Sequence, residues 1–192
     1  MSGSTTLYMI RHADSPYSFG TERTRELSGS GRLAALKACE TMRGEEVDVV
    51  VSSPYARAVQ TVRGIAEERG LVIRLYEELR ERLIQGHDSR IANEERIEAI
   101  KRSFTDFSFA LPGGESTEAA QRRAVPVIRG LLADNQGRKI AVGTHGNLMA
   151  AVMNSYDGRY GFEFWRSLTM PDIYRLDFDG QHLVRVERLW RE

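Results

Sequence analysis

Three things are scarce in this chain: long apolar runs, an excess of charge of either sign, and cysteine. Without a run of about 20 apolar residues, no segment reads as a membrane-spanning helix. The 27 basic and 27 acidic residues cancel to a formal net charge of zero. That removes the broad basic field expected of a protein that binds nucleic acid or an anionic membrane. Nearly all the basic residues are arginine, so local anion sites are compatible with the neutral balance. The lone cysteine, Cys39, has no partner for an internal disulfide. Its place in a helical pattern (Leu33, Leu36, Cys39) marks it as a core or half-buried thiol rather than a nucleophile. The opening Met1-Ser2-Gly3-Ser4 lacks the basic-then-apolar order of a signal peptide. These features suggest a cytoplasmic protein with no nucleic-acid or membrane partner. Its 192 residues fit one domain, 1–192.

Strand and helix signals alternate along the chain. Thr5 to Ile10, Val47 to Val51, Leu71 to Tyr76 and Ile140 to Gly143 read as strands. Helical patterns run from Gly31 to Arg43 after an N-cap at Ser28, and from Tyr55 to Arg69 with Ala58, Val59, Val62, Ile65 and Ala66 inward. Others cover Ile91 to Phe107, Ser116 to Asp134 with a kink expected at Pro126, and Gly146 to Tyr156. A hairpin about Asp179-Gly180 closes the chain. This order predicts an α/β fold with a mostly parallel central sheet covered on both faces. Residues 77–115 lack a strand signal and are the candidate lid or insertion. The cluster of Phe162, Phe164 and Trp165 reads as core or a partner surface, and His182 as an exposed turn residue.

Chemistry should gather at the strand ends, where open α/β sheets bind ligands. The first strand ends in Arg11-His12, the second in Ser52-Ser53-Pro54 with Arg57 one turn into a helix. The third leads to Leu79-Arg80-Glu81-Arg82, and the fourth ends in Thr144-His145-Gly146. Parallel strands would point these tips the same way. Such a set suits phosphoryl transfer through a phosphohistidine. His12 offers an imidazole nucleophile, while Arg11, Arg57 and His145 hold the anion. The helix N-termini after Pro54 and His145 would add backbone dipoles, and Gly146 backbone freedom. A carboxylic acid must protonate the leaving oxygen and then activate water. Glu81 is the candidate, with Glu77, Glu78 and Asp14 as substitutes.

These segments resemble the histidine phosphatase superfamily, in its phosphoglycerate-mutase-like branch. Arg11-His12-Ala13-Asp14 is similar to the Arg-His-Gly/Ala-Glu signature. Ser52-Ser53-Pro54-Tyr55-Ala56-Arg57-Ala58-Val59-Gln60-Thr61 resembles the second motif. Leu79-Arg80-Glu81-Arg82 resembles the stretch holding the acid, Gly114-Glu115-Ser116 a helix-opening segment, and Thr144-His145-Gly146-Asn147 the second-histidine motif. The resemblance implies a three-layer α/β/α sandwich and catalysis without metal or organic cofactor. It implies phosphorylation of His12, a phosphate pocket of Arg11, Arg57 and His145, and Glu81 as proton donor. By analogy it adds a phosphate contact from Ser15. Two departures stand out. Asp14 replaces the commoner glutamate, as in some protein-phosphohistidine phosphatases of the family, and Gly86 lies one place further from Glu81 than usual.

The expected activity is phosphomonoester hydrolysis on a small phosphorylated substrate. The alternatives are a phosphoglycerate mutase, a protein-phosphohistidine phosphatase and a non-catalytic module that binds phosphorylated ligands. The extra C-terminal tail of cofactor-dependent mutases has no counterpart here, which favours hydrolysis. Specificity should lie in residues 16–25 and 85–111, where Arg23, Arg25 and Arg90, together with Arg80 and Arg82, could meet a second anionic group, and where His87 sits at the expected rim. A homodimer is plausible by analogy with the family.

Overall fold

The computed structural model describes residues 4–18, 20–86 and 91–191. The expectations for Met1 to Gly3, His87 and Arg90 lie outside the described residues. Six strands form one sheet: β1 (Thr5–Arg11), β2 (Val49–Ser52), β3 (Ile73–Leu75), β4 (Lys139–Thr144), β5 (Asp172–Asp179) and β6 (His182–Arg188). Their order is β3-β2-β4-β1-β5-β6. The four strands from β3 to β1 are mutually parallel; β5 runs antiparallel to β1, and β6 antiparallel to β5.

Helices α1 (Gly29–Thr41) and α2 (Ala56–Glu67) follow β1 and β2, while the chain steps toward the β3 edge. After β3 the chain turns back, so the right-handed crossover to β4 puts α4 (Thr117–Asp134) on the opposite face, where α5 (Gly146–Tyr156), following β4, packs beside it. The alternating faces of β1 show the result. Tyr8 and Ile10 join Val62 and Ile65 under α1 and α2, whereas Leu7 and Met9 join Ile128 and Leu148 under α4 and α5. Both faces are therefore buried, as the near-continuous apolar strands require. A single 3₁₀ turn (Glu77–Leu79), α3 (Asn93–Ser103) and α6 (Phe162–Ser167) lie outside this frame. No helix among the described residues is long and apolar enough to cross a membrane.

Several local expectations need correction. Leu33 and Leu36 are exposed (69% and 62%), and α1 instead buries Gly31, Ala38 and Cys39. The reason is close helix packing: a Cβ on Gly64 of α2 would lie 3.3 Å from the Cys39 sulfur, so small residues face each other there. Val59 is only half-buried. The third strand shrinks to three residues, because it pairs only with β2, while the Leu71 amide closes the end of α2. α4 runs through Pro126 without a break, capped by Ser116, whose hydroxyl accepts from the Ala119 amide. The aromatic cluster forms α6, with no residue of that helix fully buried.

Candidate active site

β1, β4 and β2 are neighbours, and their register decides what meets at their ends. Arg11 lies opposite Thr144, and Ser52 opposite Gly143. The ladder continues one residue beyond the strands. The His12 amide donates to the Thr144 carbonyl (3.0 Å), and the Ser53 amide to the Gly143 carbonyl (2.9 Å). His12, His145 and Ser53 are thereby set side by side. The two imidazoles meet edge to face, with centroids 5.3 Å apart.

Each ring makes a hydrogen bond that bears on its tautomer. His12 Nδ1 lies 2.7 Å from the Ala13 carbonyl, which can only accept, so Nδ1 carries the proton and Nε2 keeps its lone pair. The Ala13 peptide is itself fixed, because its amide donates to Thr61 Oγ1 (3.0 Å) and that hydroxyl donates to the Arg57 carbonyl (2.7 Å). His145 Nε2 lies 2.8 Å from Ser53 Oγ, which already accepts the Tyr55 amide. That hydroxyl keeps one proton, which we assign to Nε2, and this arrangement leaves an N–H on His145 Nδ1. Burial, reinforced by the nearby Arg57, holds both imidazoles well below the usual histidine pKa. Both are neutral at pH 7, and His12 is in the form a nucleophile needs.

Three guanidinium groups surround the pair. Arg57 is wholly buried; its pKa is pushed down to about 10 by burial, and it is held by the Glu22 carbonyl and carboxylate, the latter at 3.1 Å. Arg11 donates to the carbonyls of Leu168 (2.8 Å) and Thr169 (3.2 Å). Arg25 donates to the Ser15 carbonyl (2.8 Å) and faces Glu22 at 3.4 Å. The charges of all three reach both histidines. The Nε atoms of Arg11, Arg25 and Arg57, together with His145 Nδ1, are buried yet make no hydrogen bond among the described residues. Buried donors are nearly always paired. Arg25 Nε faces Glu22 Oε1 at 3.4 Å, so three unpaired donors, on Arg11, Arg57 and His145, remain near one bare imidazole nitrogen, a site suited to a tetrahedral anion.

The carboxylates separate clearly. Glu81 caps α5: its oxygens accept from the amides of Asn147 (3.2 Å) and Leu148 (3.0 Å), and from its neighbour Arg82 (2.8 Å). Its charge acts on both Arg11 and Arg57. Glu81 thus sits beside the anion site, but it occupies first-turn amides that were expected to face phosphate. The start of α2 is likewise partly filled, since the Ala56 amide donates to the Arg23 carbonyl. Asp14 turns away to accept from the Ser28 hydroxyl (2.6 Å), while its carbonyl lies against Gly31, tying the loop after His12 to α1. Glu77 forms an exposed bidentate pair with Arg23, and Glu78 is exposed. Neither replaces Glu81.

Other expected residues fall into different places. The Ser15 hydroxyl donates to the Glu26 carbonyl (2.7 Å), so it is engaged by the loop rather than presented to an anion. Gly146 is needed for close approach: a Cβ there would lie 3.0 Å from Arg11 Cζ and Nε. Arg82 is buried, donates to the Glu115 carbonyl, Ser103 and Thr117, and pins residues 103–117 to the strand-end loop. Arg80 donates to the Glu77 carbonyl, at 3.4 Å. Sequence reasoning gave no role to Glu22, Ser53, Thr61 or Tyr55. The Thr61 signal was present: it lies one helical turn after Arg57, on the same buried face. Tyr55 packs 5.1 Å from both the Arg57 guanidinium and the His145 ring.

Known proteins resemble this chain along nearly its whole length. Residues 7–189 match the family described as the histidine phosphatase superfamily (branch 1). A glucosyl-3-phosphoglycerate phosphatase of Mycobacterium tuberculosis is 30% identical over 161 residues, covering 76% of this chain and 72% of that one. A 2,3-bisphosphoglycerate-dependent phosphoglycerate mutase of Mesorhizobium japonicum is 27% identical, covering 92% and 95%. Among solved structures, the native mycobacterial glucosyl-3-phosphoglycerate phosphatase superposes with a TM-score of 0.74 at 26% identity, covering 96% of this chain and 97% of that one. The chain belongs to branch 1 of the histidine phosphatase superfamily.

Proposed function

We propose that the protein hydrolyses phosphomonoesters through a phosphohistidine on His12. The observation that carries this is the set of three unpaired buried donors, on Arg11, Arg57 and His145, beside a neutral imidazole with a free Nε2. In the first step Nε2 attacks phosphorus, the ester P–O bond breaks, and Glu81 gives the leaving oxygen its proton. In the second, water attacks the phosphorus, Glu81 takes the water's proton, the N–P bond breaks, and phosphate leaves. Arg11, Arg25, Arg57 and His145 Nδ1 neutralise the oxygens throughout. To act as an acid, Glu81 carries its proton on Oε2, the oxygen that accepts the Asn147 amide, the longest of its three contacts. Residues 77–115 serve as the lid, with Arg82 as their anchor.

The likeness to mutases over 92% of the chain supports a second reading, in which phospho-His12 returns its phosphoryl group to an isomeric acceptor. The test is incubation with EDTA and p-nitrophenyl phosphate, glucosyl-3-phosphoglycerate (named by the relatives) or 3-phosphoglycerate. Hydrolysis predicts steady phosphate release that persists with EDTA, vanishes in His12→Ala and falls about 10²–10⁴-fold in Glu81→Gln on alkyl esters. Conversion of 3-phosphoglycerate only with added bisphosphoglycerate, without phosphate release, would establish the mutase instead.

A further inference from the structure

Arg11 has two sides. One borders the anion site; the other lines a cavity of about 430 Å³ whose remaining walls come from α3 and α6 and the residue after α6. Glu94, Ile97 and Glu98 of α3 face Trp165, Arg166 and Leu168 across it. Arg11 is the residue the anion site and this cavity share, so an ester substituent that extends past Arg11 meets a space bounded by Trp165 and two carboxylates.

We propose that this cavity holds the leaving group, and that it selects a sugar ring carrying hydroxyl or amino groups and no carboxylate. The inference rests on the phosphatase reading above and names its substrate class. Size is the first argument. The cavity spans two helices, and a three-carbon glyceryl group would leave either Trp165 or α3 untouched. Chemistry is the second. An indole face packs against the C–H face of a pyranose, while carboxylates one helical turn apart accept from vicinal hydroxyl or ammonium donors. Charge is the third. With Arg11 committed to the phosphoryl group, Glu94 and Glu98 face only one other cation in the lining, Arg166. An anionic substituent meets net repulsion there, and an amino group meets attraction.

The experiment compares kcat/KM for glucosamine 1-phosphate, glucose 1-phosphate, glucuronic acid 1-phosphate and glycerol 1-phosphate, with p-nitrophenyl phosphate as a general probe. The first three share one ring and differ only in an amino group or a carboxylate. The expected order is glucosamine, then glucose, then glucuronate, with glucose exceeding glucuronate at least tenfold and glycerol at least tenfold. Trp165→Ala should lose at least tenfold on glucose 1-phosphate and little on glycerol 1-phosphate. Glu94→Gln with Glu98→Gln should narrow the gap between glucose and glucuronate. Turnover of glucuronate or glycerol 1-phosphate equal to that of glucose, or equal losses on all substrates in Trp165→Ala, would overturn the assignment while leaving the phosphatase reading intact. Release of phosphate from none of the panel, p-nitrophenyl phosphate included, would overturn both.

Discussion

Substituting Gly146 by alanine should separate stability from activity. A Cβ at this position points at one neighbour: its three nearest atoms are Arg11 Cζ and Nε at 3.0 Å and Nη2 at 3.3 Å. Ordinary contact needs a retreat of a few tenths of an ångström, and only the guanidinium must move. Gly146 opens α5 and has no positive φ, so alanine suits its backbone. Restricting the unfolded chain then stabilises by about 0.4–1 kcal/mol, which offsets most of what Arg11 loses against the Leu168 and Thr169 carbonyls. The displaced Arg11 Nε is a buried donor without a hydrogen bond among the described residues, and one of those proposed to meet the anion. A hydrogen bond to a charged group is worth about 1.5–3 kcal/mol, so kcat/KM should fall about 10- to 150-fold. The assay pairs thermal unfolding with p-nitrophenyl phosphate kinetics, in wild-type and Arg11→Ala backgrounds. In Arg11→Ala the second substitution should stabilise and cost no further activity, the signature of a coupled pair. An unchanged kcat/KM in the single variant, or an equal loss in both backgrounds, would refute the assignment of Arg11 to the anion.

Further outcomes follow from the same geometry. Ser53→Ala leaves His145 Nε2 buried without its partner, which should cost about 1–3 kcal/mol in denaturant unfolding and at least tenfold in kcat/KM; ¹⁵N spectra should show His145 losing its single tautomer. Because both histidines have pKa values held well below 6.5, kcat/KM should not fall through pH 6.5, and its acid limb should appear only at lower pH. Stability has the matching sign. The unfolded chain binds protons first, so the histidine contribution is complete above pH 6.5 and is lost as pH falls toward the folded-state values. A pH titration of urea midpoints checks it. Arg82→Met removes donors to Glu115, Ser103 and Thr117 and should lower stability by about 1–3 kcal/mol, measured by urea unfolding.

The strand-tip logic was legible because it rests on local signals. Apolar β-branched runs followed by Arg11-His12, Ser52-Ser53-Pro54 or Thr144-His145-Gly146 mark both the strands and their ends, and parallel pairing brings them together. Elements whose boundaries depend on tertiary packing were less legible. Leu33 and Leu36 look like an inward stripe, but the close approach of α1 to Gly64 reserves the buried face for small residues. Asp14 stood as a substitute acid and Ser15 as a phosphate contact by analogy, yet both fasten the loop after His12. Arg82 reads as a surface charge, and only the loop folded over it reveals a buried anchor. Ser53 and Thr61 act through hydrogen bonds to rings and peptides far along the chain, which no spacing rule displays.

The strand order has one more consequence. β4 is inserted between β2 and β1, so the two imidazoles touch only after the chain has run from residue 12 to residue 145 and returned to its starting strand. No N-terminal portion emerging during synthesis contains the reaction centre, and closing it means forming a contact of high sequence separation. Turnover is therefore a readout of complete assembly. A chain divided between β3 and β4 would place one histidine on each piece, and recovered phosphate release would count the molecules in which the halves had found each other.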